Sequence, residues 1–202
     1  MDIPLYWSAA ACLFGYLLGS IPFGLVITRV AGLGDIRQVG SGNIGATNVL
    51  RTGRKDLALA TLLLDSFKAG LAVWAFASLS GLREVGLIAG AAAFVGHCYP
   101  VWLGFKGGKG VATYAGLLAF ASWKGFLIAA PIWLGLFALS RISSLAAISA
   151  AICVPIGAFL WGEPTFTVAI LAALSLLVLW THRANLGRLI RGEEPRFGAK
   201  TP

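Results

Sequence analysis

Residues 3–28 contain no charged side chain, and five further apolar stretches of similar character follow them. Crossing the hydrocarbon core of a bilayer takes about 20 apolar residues per helix. Only 12% of the chain is charged, which is too little to cover a soluble domain of this size but suits a protein whose outer face is solvated by lipid. The first stretch is too long for a signal peptide and lacks a convincing cleavage site, so we expect it to remain as a span.

We therefore predict an all-α, polytopic integral membrane protein: a compact bundle of seven transmembrane helices in one domain, residues 1–202. The stretch 111–140 is interrupted at 122–125 and could form one long helix or two short ones. With two, the predicted helices are 3–28, 57–82, 85–105, 111–122, 125–140, 142–162 and 164–182, and residues 183–202 form a cytoplasmic tail.

The distribution of positive charge favours seven helices over six. With seven, thirteen of the 16 Lys and Arg residues share one side of the membrane, whereas six would place the basic tail opposite the basic loops. These residues are Arg29, Arg37, Arg51, Arg54, Lys55, Lys106, Lys109, Arg141, Arg183, Arg188, Arg191, Arg196 and Lys200. The positive-inside rule then predicts an external amino terminus and a cytoplasmic carboxyl terminus. The net charge of +8 favours anionic lipid headgroups or substrates as partners, and nucleic acid binding is not expected.

The first of three notable polar segments, residues 40–51, reads G-S-G-N-I-G-A-T-N-V-L-R. Its G-x-G-x-x-G spacing resembles a dinucleotide fingerprint, but a membrane helix precedes it instead of a strand, which excludes that fold. Glycines still let backbone amides converge on an anion, and Ser41, Asn43, Asn48 and Arg51 add donors. A flexible polar loop without a ligand is the alternative interpretation.

The second segment, residues 104–113, reads G-F-K-G-G-K-G-V-A-T. It is not a P-loop, because Lys109 is followed by Gly110 where Ser or Thr is required. What remains is a turn containing Gly107 and Gly108 that opens a helix, and a helix amino terminus suits phosphate. A basic loop that only obeys topology rules would explain the lysines but not the glycines.

The third segment, residues 181–188, follows the last span and places His182, Asn185 and Arg188 on one helical face. Ser144, close to Arg141, is predicted on the same side of the membrane. Three phosphate-compatible segments on one side predict a shared anion-binding site at the cytoplasmic membrane surface.

These motifs resemble the signatures of acyl-phosphate:glycerol-3-phosphate acyltransferases, the PlsY family. The match is S-G-N-x-G-A-T-N-x-x-R from Ser41, G-x-K-G-G-K-G-V-A-T from Gly104 and H-R-x-N-x-x-R from His182, ending at Glu194. The likeness covers residues 13–197, and Ala69 departs from it where the family pattern has Gly. It implies transfer of a fatty acyl group from acyl-phosphate to the 1-hydroxyl of glycerol 3-phosphate, in phospholipid synthesis at a bacterial inner membrane. The H-x-x-x-x-D pair of other enzymes of this step is absent, since Trp102 and Gly187 stand five residues after the two histidines.

From the motifs and this resemblance we expect a catalytic set and a substrate-binding set. The catalytic residues are Ser41, Arg51, Lys109, His182 and Asn185, and the substrate-binding residues are Asn43, Asn48, Gly107, Gly108, Gly110 and Ser144. Direct attack by the glycerol 3-phosphate hydroxyl is favoured over an acyl-Ser41 intermediate, because the sequence offers no Ser-His-Asp constellation.

Asp65 and Lys68, three residues apart within a predicted span, are expected to form a structural ion pair. Glu194 is expected to brace the tail against arginine side chains, and His97 is also interpreted as structural. No metal site or cofactor is expected, because His, Cys and carboxylate residues do not cluster at ligand spacing.

Two rival functions explain part of the pattern: a transporter for phosphate or another anion, and a scaffold that binds lipid headgroups. A transporter should carry polar residues along several helices, whereas Asp65 and Lys68 are the only charged residues within the predicted spans. Neither rival explains why the polar motifs gather at one predicted membrane face. The sequence leaves open the oligomeric state, for which a monomer is one option, and the preferred acyl chain length.

Overall fold

The computed structural model describes residues 3–198, and this part of the chain is helical, without β-strands. The helices are α1 Leu5–Gly19, α2 Phe23–Val30, α3 Ala46–Leu50, α4 Lys55–Ser80, α5 Arg83–Cys98, α6 Val111–Ala121, α7 Trp123–Ser140, α8 Ser143–Leu160, α9 Thr165–Thr181 and α10 Arg183–Ile190. Two 3₁₀ turns lie at Ile36–Gln38 and Val101–Leu103. Each predicted apolar segment contains an α-helix, although 3–28 is interrupted after Gly19 and the α-helix within 85–105 ends at Cys98.

Five helical segments in the described range are long and apolar enough to cross a membrane: Leu5–Val30, Lys55–Ser80, Arg83–Leu103, Trp123–Ser140 and Ser143–Leu160. A sixth is added if α9 and α10, which meet at a bend of 63°, count as one broken span. Val111–Ala121 has only 11 residues and is a shorter apolar helix. The chain is thus an all-helical, multi-pass membrane protein, and a count of seven spans stays a prediction.

The first predicted helix, residues 3–28, is in fact two helices, because the chain breaks between α1 and α2. Pro22 has no backbone N–H to continue a helix, and the break leaves nearby carbonyls without helical partners. Side chains from elsewhere satisfy these groups: Trp102 Nε1 donates to the Ser20 carbonyl at 2.9 Å, and Lys68 Nζ donates to the Ile21 carbonyl at 2.8 Å.

The chain divides into two compact units, residues 1–121 and 122–202. In the first unit α1 packs along α5, and α4 packs against both α5 and α6. Glycine makes these contacts possible: a Cβ on Gly19 would lie 2.0 Å from the Ala93 carbonyl oxygen, and one on Gly116 would lie 1.9 Å from that of Ser66. Such close backbone approach is the usual basis of helix packing in lipid.

In the second unit α7 packs on α8, and α8 packs on α9 and α10. In the stretch 111–140 the structure has two helices, α6 and α7, which meet at Ser122. The Ser122 hydroxyl accepts the Gly125 amide at 3.1 Å as the cap of α7, and donates to Glu163 at 2.9 Å. Lys200, part of the predicted basic tail, lies outside the described residues.

Candidate functional site

The glycine-rich loop before α3 is held together by Asn48, which is buried with 2% of its surface exposed. Its Nδ2 donates to the carbonyls of Ile36, Val39 and Asn43 at 2.8–3.0 Å, and its Oδ1 accepts the Ser41 amide at 2.9 Å. The sequence predicted Asn48 as a substrate ligand. Because its polar atoms are bound to the loop's own backbone, we assign it instead to shaping the loop.

The inner side of this loop is apolar and packs on the ends of two longer helices. Ile36, Ile44 and Val49 form one buried cluster with Leu25 of α2 and Ala58 of α4. Gly40 and Gly42 have positive φ angles of 57° and 70°, which few other residues adopt. A Cβ on Gly40 would also lie 2.6 Å from Asn48 Oδ1, so the turn depends on glycine there. The loop therefore has one fixed backbone path that presents Ser41 and Arg51 on its exposed side.

Arg51 differs from the other arginines around this loop. Arg29 and Arg37 both bind Asp35, and Arg54 binds Asp56 at 2.6 Å. Hydrogen bonds from Arg37 hold the pKa of Asp35 well below its ordinary value. Within residues 3–198, Arg51 makes no ion pair, and its side chain is exposed. The loop thus carries one cation that is not neutralised by a carboxylate in this range.

Asn43 has the geometry of a residue that both builds the loop and faces outward. Its Oδ1 accepts the Gly45 amide at 3.0 Å, an Asx turn that leads into α3. The side chain is half-buried, and the Nδ2 group is not used in that turn. Asn43 therefore remains compatible with the predicted contact to substrate.

The second glycine-rich segment does not present its amides as predicted. The Gly107 amide donates to the Cys98 carbonyl and the Gly108 amide to the His97 carbonyl, both at 3.0 Å. These carbonyls belong to the last turn of α5, where no helical N–H reaches them. Both amides were expected to bind substrate, but in the structure they attach the turn to α5. Glycine is needed at these two positions because the turn packs too closely on α5 for a side chain.

Gly110 and Lys109 complete this segment. Gly110 has a φ of 81°, and a Cβ on it would lie 2.2 Å from the Phe94 ring, so it is a tight backbone junction and not an exposed ligand. Helix α6 begins at the next residue, Val111. Lys109, half-buried, therefore precedes a helix amino terminus, the combination that favours an anion.

The predicted pair of Asp65 and Lys68 is present, and a third residue joins it. Lys68 Nζ lies 2.8 Å from Asp65 Oδ1, with 1% and 2% of the Lys68 and Asp65 side chains exposed. It also lies 2.9 Å from His97 Nδ1, on the next helix. We call Asp65, Lys68 and His97 the buried Lys68 cluster. The sequence analysis assigned no partner to His97. It could have been found, because a charge within a span requires polar neighbours and His97 is a polar residue on the next helix.

In the second unit Glu194 connects the three polar residues near α10. Its Oε1 accepts from Ser144 Oγ at 2.6 Å and from Asn185 Nδ2 at 2.5 Å, and its Oε2 accepts from Arg188 Nε at 2.7 Å. This is the bracing contact expected of Glu194. Ser144 was predicted as a donor to substrate, but its single hydroxyl hydrogen is used here, so in this structure it holds Glu194.

The electrostatic state of Glu194 follows from these bonds. Burial alone would raise the pKa of its carboxyl, but the hydrogen bonds from Ser144, Asn185 and Arg188 outweigh burial and lower the pKa below its ordinary value. The lowered pKa makes the Glu194 carboxylate a weaker base than an ordinary glutamate, and three donors occupy its oxygens.

His182 ends α9 and is buried, with 3% of its surface exposed. Its Nδ1 lies 2.9 Å from the Val178 carbonyl oxygen. A carbonyl only accepts, so Nδ1 carries hydrogen, and in the neutral ring the lone pair is on Nε2. This bond fixes the orientation and the tautomer of the ring, and the catalytic role of His182 stays a prediction.

Together, the helices and the glycine-rich, cationic segments define a multi-pass membrane protein. The described residues contain no group of three His, Cys, Asp or Glu side chains that could hold a metal ion. The common site predicted from topology for the three motifs stays a prediction.

Comparisons with known proteins identify the family. The family model for glycerol-3-phosphate acyltransferases matches residues 9–192. Proteins of this name are 70% identical in Hyphomonas neptunium, over 95% of this chain and 93% of the relative, and 60% identical in Maricaulis maris, over 95% and 88%. The crystal structure of PlsY (YgiH), an integral membrane glycerol 3-phosphate acyltransferase, in its glycerol 3-phosphate form has a TM-score of 0.88 and 40% identity, covering 95% of this chain and 96% of that one. The chain belongs to the glycerol-3-phosphate acyltransferase family and is an integral membrane acyltransferase.

Proposed function

We propose that this protein transfers a fatty acyl group from acyl-phosphate to the 1-hydroxyl of glycerol 3-phosphate, giving lysophosphatidic acid and inorganic phosphate. The acceptor is supported by the names of the relatives. It is also supported by the structural neighbour, which is described in a glycerol 3-phosphate form and a lysophosphatidic acid form. Membrane embedding suits the reaction, since both the acyl donor and the product carry a lipid tail.

The acyl-phosphate donor is supported by the chemistry of the motifs. Both substrates then carry a phosphate, and the first unit contains two separate cationic, glycine-rich segments, at Arg51 and at Lys109. Acyl-phosphate is a mixed anhydride with a good leaving group, so the protein needs to position the reactants and stabilise charge more than to activate a carbonyl. The absence of the H-x-x-x-x-D pair also separates this chain from enzymes that use that motif.

The observation that carries the proposal is the state of Arg51. It projects from a loop whose backbone is fixed by Asn48, and its charge is not used by any carboxylate of the described residues, unlike Arg29, Arg37 and Arg54. A guanidinium held in this way can bind a phosphate through two parallel hydrogen bonds. Lys109, ahead of the α6 amino terminus, is the second proposed phosphate ligand.

Direct attack is the chemistry we favour. The 1-hydroxyl oxygen of glycerol 3-phosphate forms a bond to the acyl carbonyl carbon, the bond from that carbon to the phosphate oxygen breaks, and phosphate leaves. The hydroxyl proton passes to a phosphate oxygen of the substrates. The competing route through an acyl-Ser41 ester needs a base that takes the Ser41 proton. His182 is the candidate for that base, but the sequence offers no Ser-His-Asp constellation to support it.

His182 and Asn185 are proposed to orient glycerol 3-phosphate or polarise its hydroxyl. The contact of His182 Nδ1 with the Val178 carbonyl fixes the orientation of the imidazole ring. Asn185 is held in place by the hydrogen bond that its Nδ2 donates to Glu194. We further propose that the chain has an external amino terminus and that the active site faces the cytoplasm, as the distribution of Lys and Arg indicates.

The test is phosphate release by the purified protein in detergent, given palmitoyl-phosphate and glycerol 3-phosphate, with an acyl-CoA as control donor. We expect release only when both substrates are present, lysophosphatidic acid as product, and no turnover with the acyl-CoA. Arg51→Ala should lower kcat/KM at least a hundredfold. Arg54→Ala is the matched control, because Arg54 lies on the same loop but binds Asp56.

Two results would contradict the proposal. Equal activity of the Arg51→Ala and Arg54→Ala variants would remove the phosphate site. Isolation of an acyl ester on Ser41 after a single turnover would replace direct attack by the acyl-enzyme route and leave the overall reaction intact.

A further inference from the structure

The buried Lys68 cluster lies at the junction of three helices and is connected to the glycine turn before Lys109. We propose that Lys68 and His97 are positioning residues: they fix the turn at Gly107 and Gly108 and thereby the place of Lys109. This inference rests on the proposed function, in which Lys109 binds a substrate phosphate.

Three polar atoms lie around the Lys68 ammonium, one in an ion pair with it and two in hydrogen-bonding contact. Its Nζ lies 2.8 Å from Asp65 Oδ1, 2.9 Å from His97 Nδ1 and 2.8 Å from the Ile21 carbonyl. The Phe23 ring lies beneath the ammonium, with its centroid 5.7 Å away. One ammonium thus joins α4, the last turn of α5 and the break between α1 and α2. A charge inside a span is costly, and a purely apolar core would pack these helices without that cost.

His97 transfers this fixation to the turn in two ways. Its carbonyl accepts the Gly108 amide at 3.0 Å. Its ring lies directly against Gly108, since a Cβ there would be 2.1 Å from His97 Nε2. The neighbouring Cys98 carbonyl accepts the Gly107 amide. The ring and backbone of one residue therefore determine where Gly108 lies, and Lys109 is the next residue.

The hydrogen bond from Lys68 also fixes the ring itself. An ammonium can only donate, so Nδ1 of His97 accepts and the ring hydrogen is on Nε2, the edge that faces Gly108. Without Lys68 the ring would lose the contact that sets its rotation. A residue larger than glycine at position 108 would also force the His97 ring out of its present orientation.

The first experiment is a double-mutant cycle on kcat/KM for both substrates. We expect His97→Leu, which has no acceptor for Lys68, to lower kcat/KM about tenfold or more, and Lys109→Met to lower it about a hundredfold or more. If His97 acts through Lys109, the variant with both changes should be no worse than Lys109→Met alone, within about threefold.

The possible outcomes separate this inference from the proposed function. Losses that multiply in the double variant would show a role independent of Lys109 and overturn the inference alone. A His97→Leu variant as active as the wild type would also overturn it. If Lys109→Met is itself fully active, the proposed phosphate site fails, and this inference fails with it.

The second experiment tests the contact between the ring and the turn, and does not depend on whether His97→Leu folds. Asn at position 97 keeps an acceptor near the Nδ1 position but lacks the ring edge. With its oxygen at the Nδ1 position, the Asn amide nitrogen takes the place of Cδ2, which lies 3.0 Å from where a Cβ on residue 108 would be. No atom of Asn takes the place of Nε2, which lies at 2.1 Å. We expect Gly108→Ala to lose at least tenfold in kcat/KM, and Gly108→Ala combined with His97→Asn to recover at least fivefold of that loss. No recovery, with both proteins folded by thermal unfolding in detergent, would overturn the proposed link.

Discussion

The loop that carries Ser41 and Arg51 should depend on Asn48 more than on any other single side chain. Asn48 is buried, and its Nδ2 hydrogens are shared among three loop carbonyls while Oδ1 accepts the Ser41 amide. Nδ2 has two hydrogens, so Asn48→Ala removes two full hydrogen bonds from the carbonyls and one from Ser41. At about 1 kcal/mol each, the closed loop should lose about 3 kcal/mol, which corresponds to roughly a hundredfold rise in the open population.

Hydrogen exchange measures this opening directly, because a local opening need not change the unfolding of the whole protein. In detergent micelles, peptides covering residues 36–52 should exchange about a hundredfold faster in Asn48→Ala, most clearly at the Ser41 amide. Asn43→Ala is the matched control: it removes the single bond to the Gly45 amide, about 1 kcal/mol, so exchange should rise about fivefold. If Asn48→Ala exchanges no faster than Asn43→Ala, the apolar side chains under the loop hold it closed, and our account of Asn48 is wrong.

Two further predictions concern packing and charge. Gly116→Ala should lower the free energy of unfolding by about 3 kcal/mol, because its Cβ would lie 1.9 Å from a carbonyl oxygen. Gly135→Ala is the control, since a Cβ there meets nothing within 4 Å and should leave the stability unchanged. Equal melting temperatures of the two variants, measured by tryptophan fluorescence in detergent, would contradict this. Glu194→Gln should cost about 1 kcal/mol near neutral pH, because it weakens the bond to the partly exposed Arg188. Since the pKa of Glu194 is lowered in the folded state, its stabilisation is complete above the ordinary carboxyl pKa of about 4.3 and is lost as the pH falls through the lowered value. The difference between wild type and variant should therefore shrink below about pH 4, and a difference that is constant with pH would refute the charge argument.

Much of the architecture follows from local sequence. The length of each apolar stretch predicted helix, and each stretch contains helix, because backbone groups in lipid have to be satisfied within the segment. The break of 3–28 into α1 and α2 was not predicted. The break at Ser122 was visible as polar and glycine residues within an apolar stretch. The ion pair of Asp65 and Lys68 was also predictable, since residues three apart face the same side of a helix.

The motifs supplied a set of candidate site residues, and that set stays a prediction. They did not indicate which polar atoms the protein uses for its own hydrogen bonds. The amides of Gly107 and Gly108, the hydroxyl of Ser144 and the amide of Asn48 are all engaged in internal hydrogen bonds. A motif gives the donors present at each position, whereas the direction in which they point depends on what packs beside them.

The sequence by itself therefore determined that the chain is a helical membrane protein with glycine-rich, cationic polar segments, because hydropathy, charge and spacing act over a few residues along the chain. Only the tertiary structure decided that His97 contacts Lys68, 29 residues earlier, and that Glu194 binds Ser144, 50 residues earlier. Contacts over such separations depend on how helices pack against one another. No local pattern contains that information, because a shift of one helix by a single turn would bring different residues together with the same sequence periodicity.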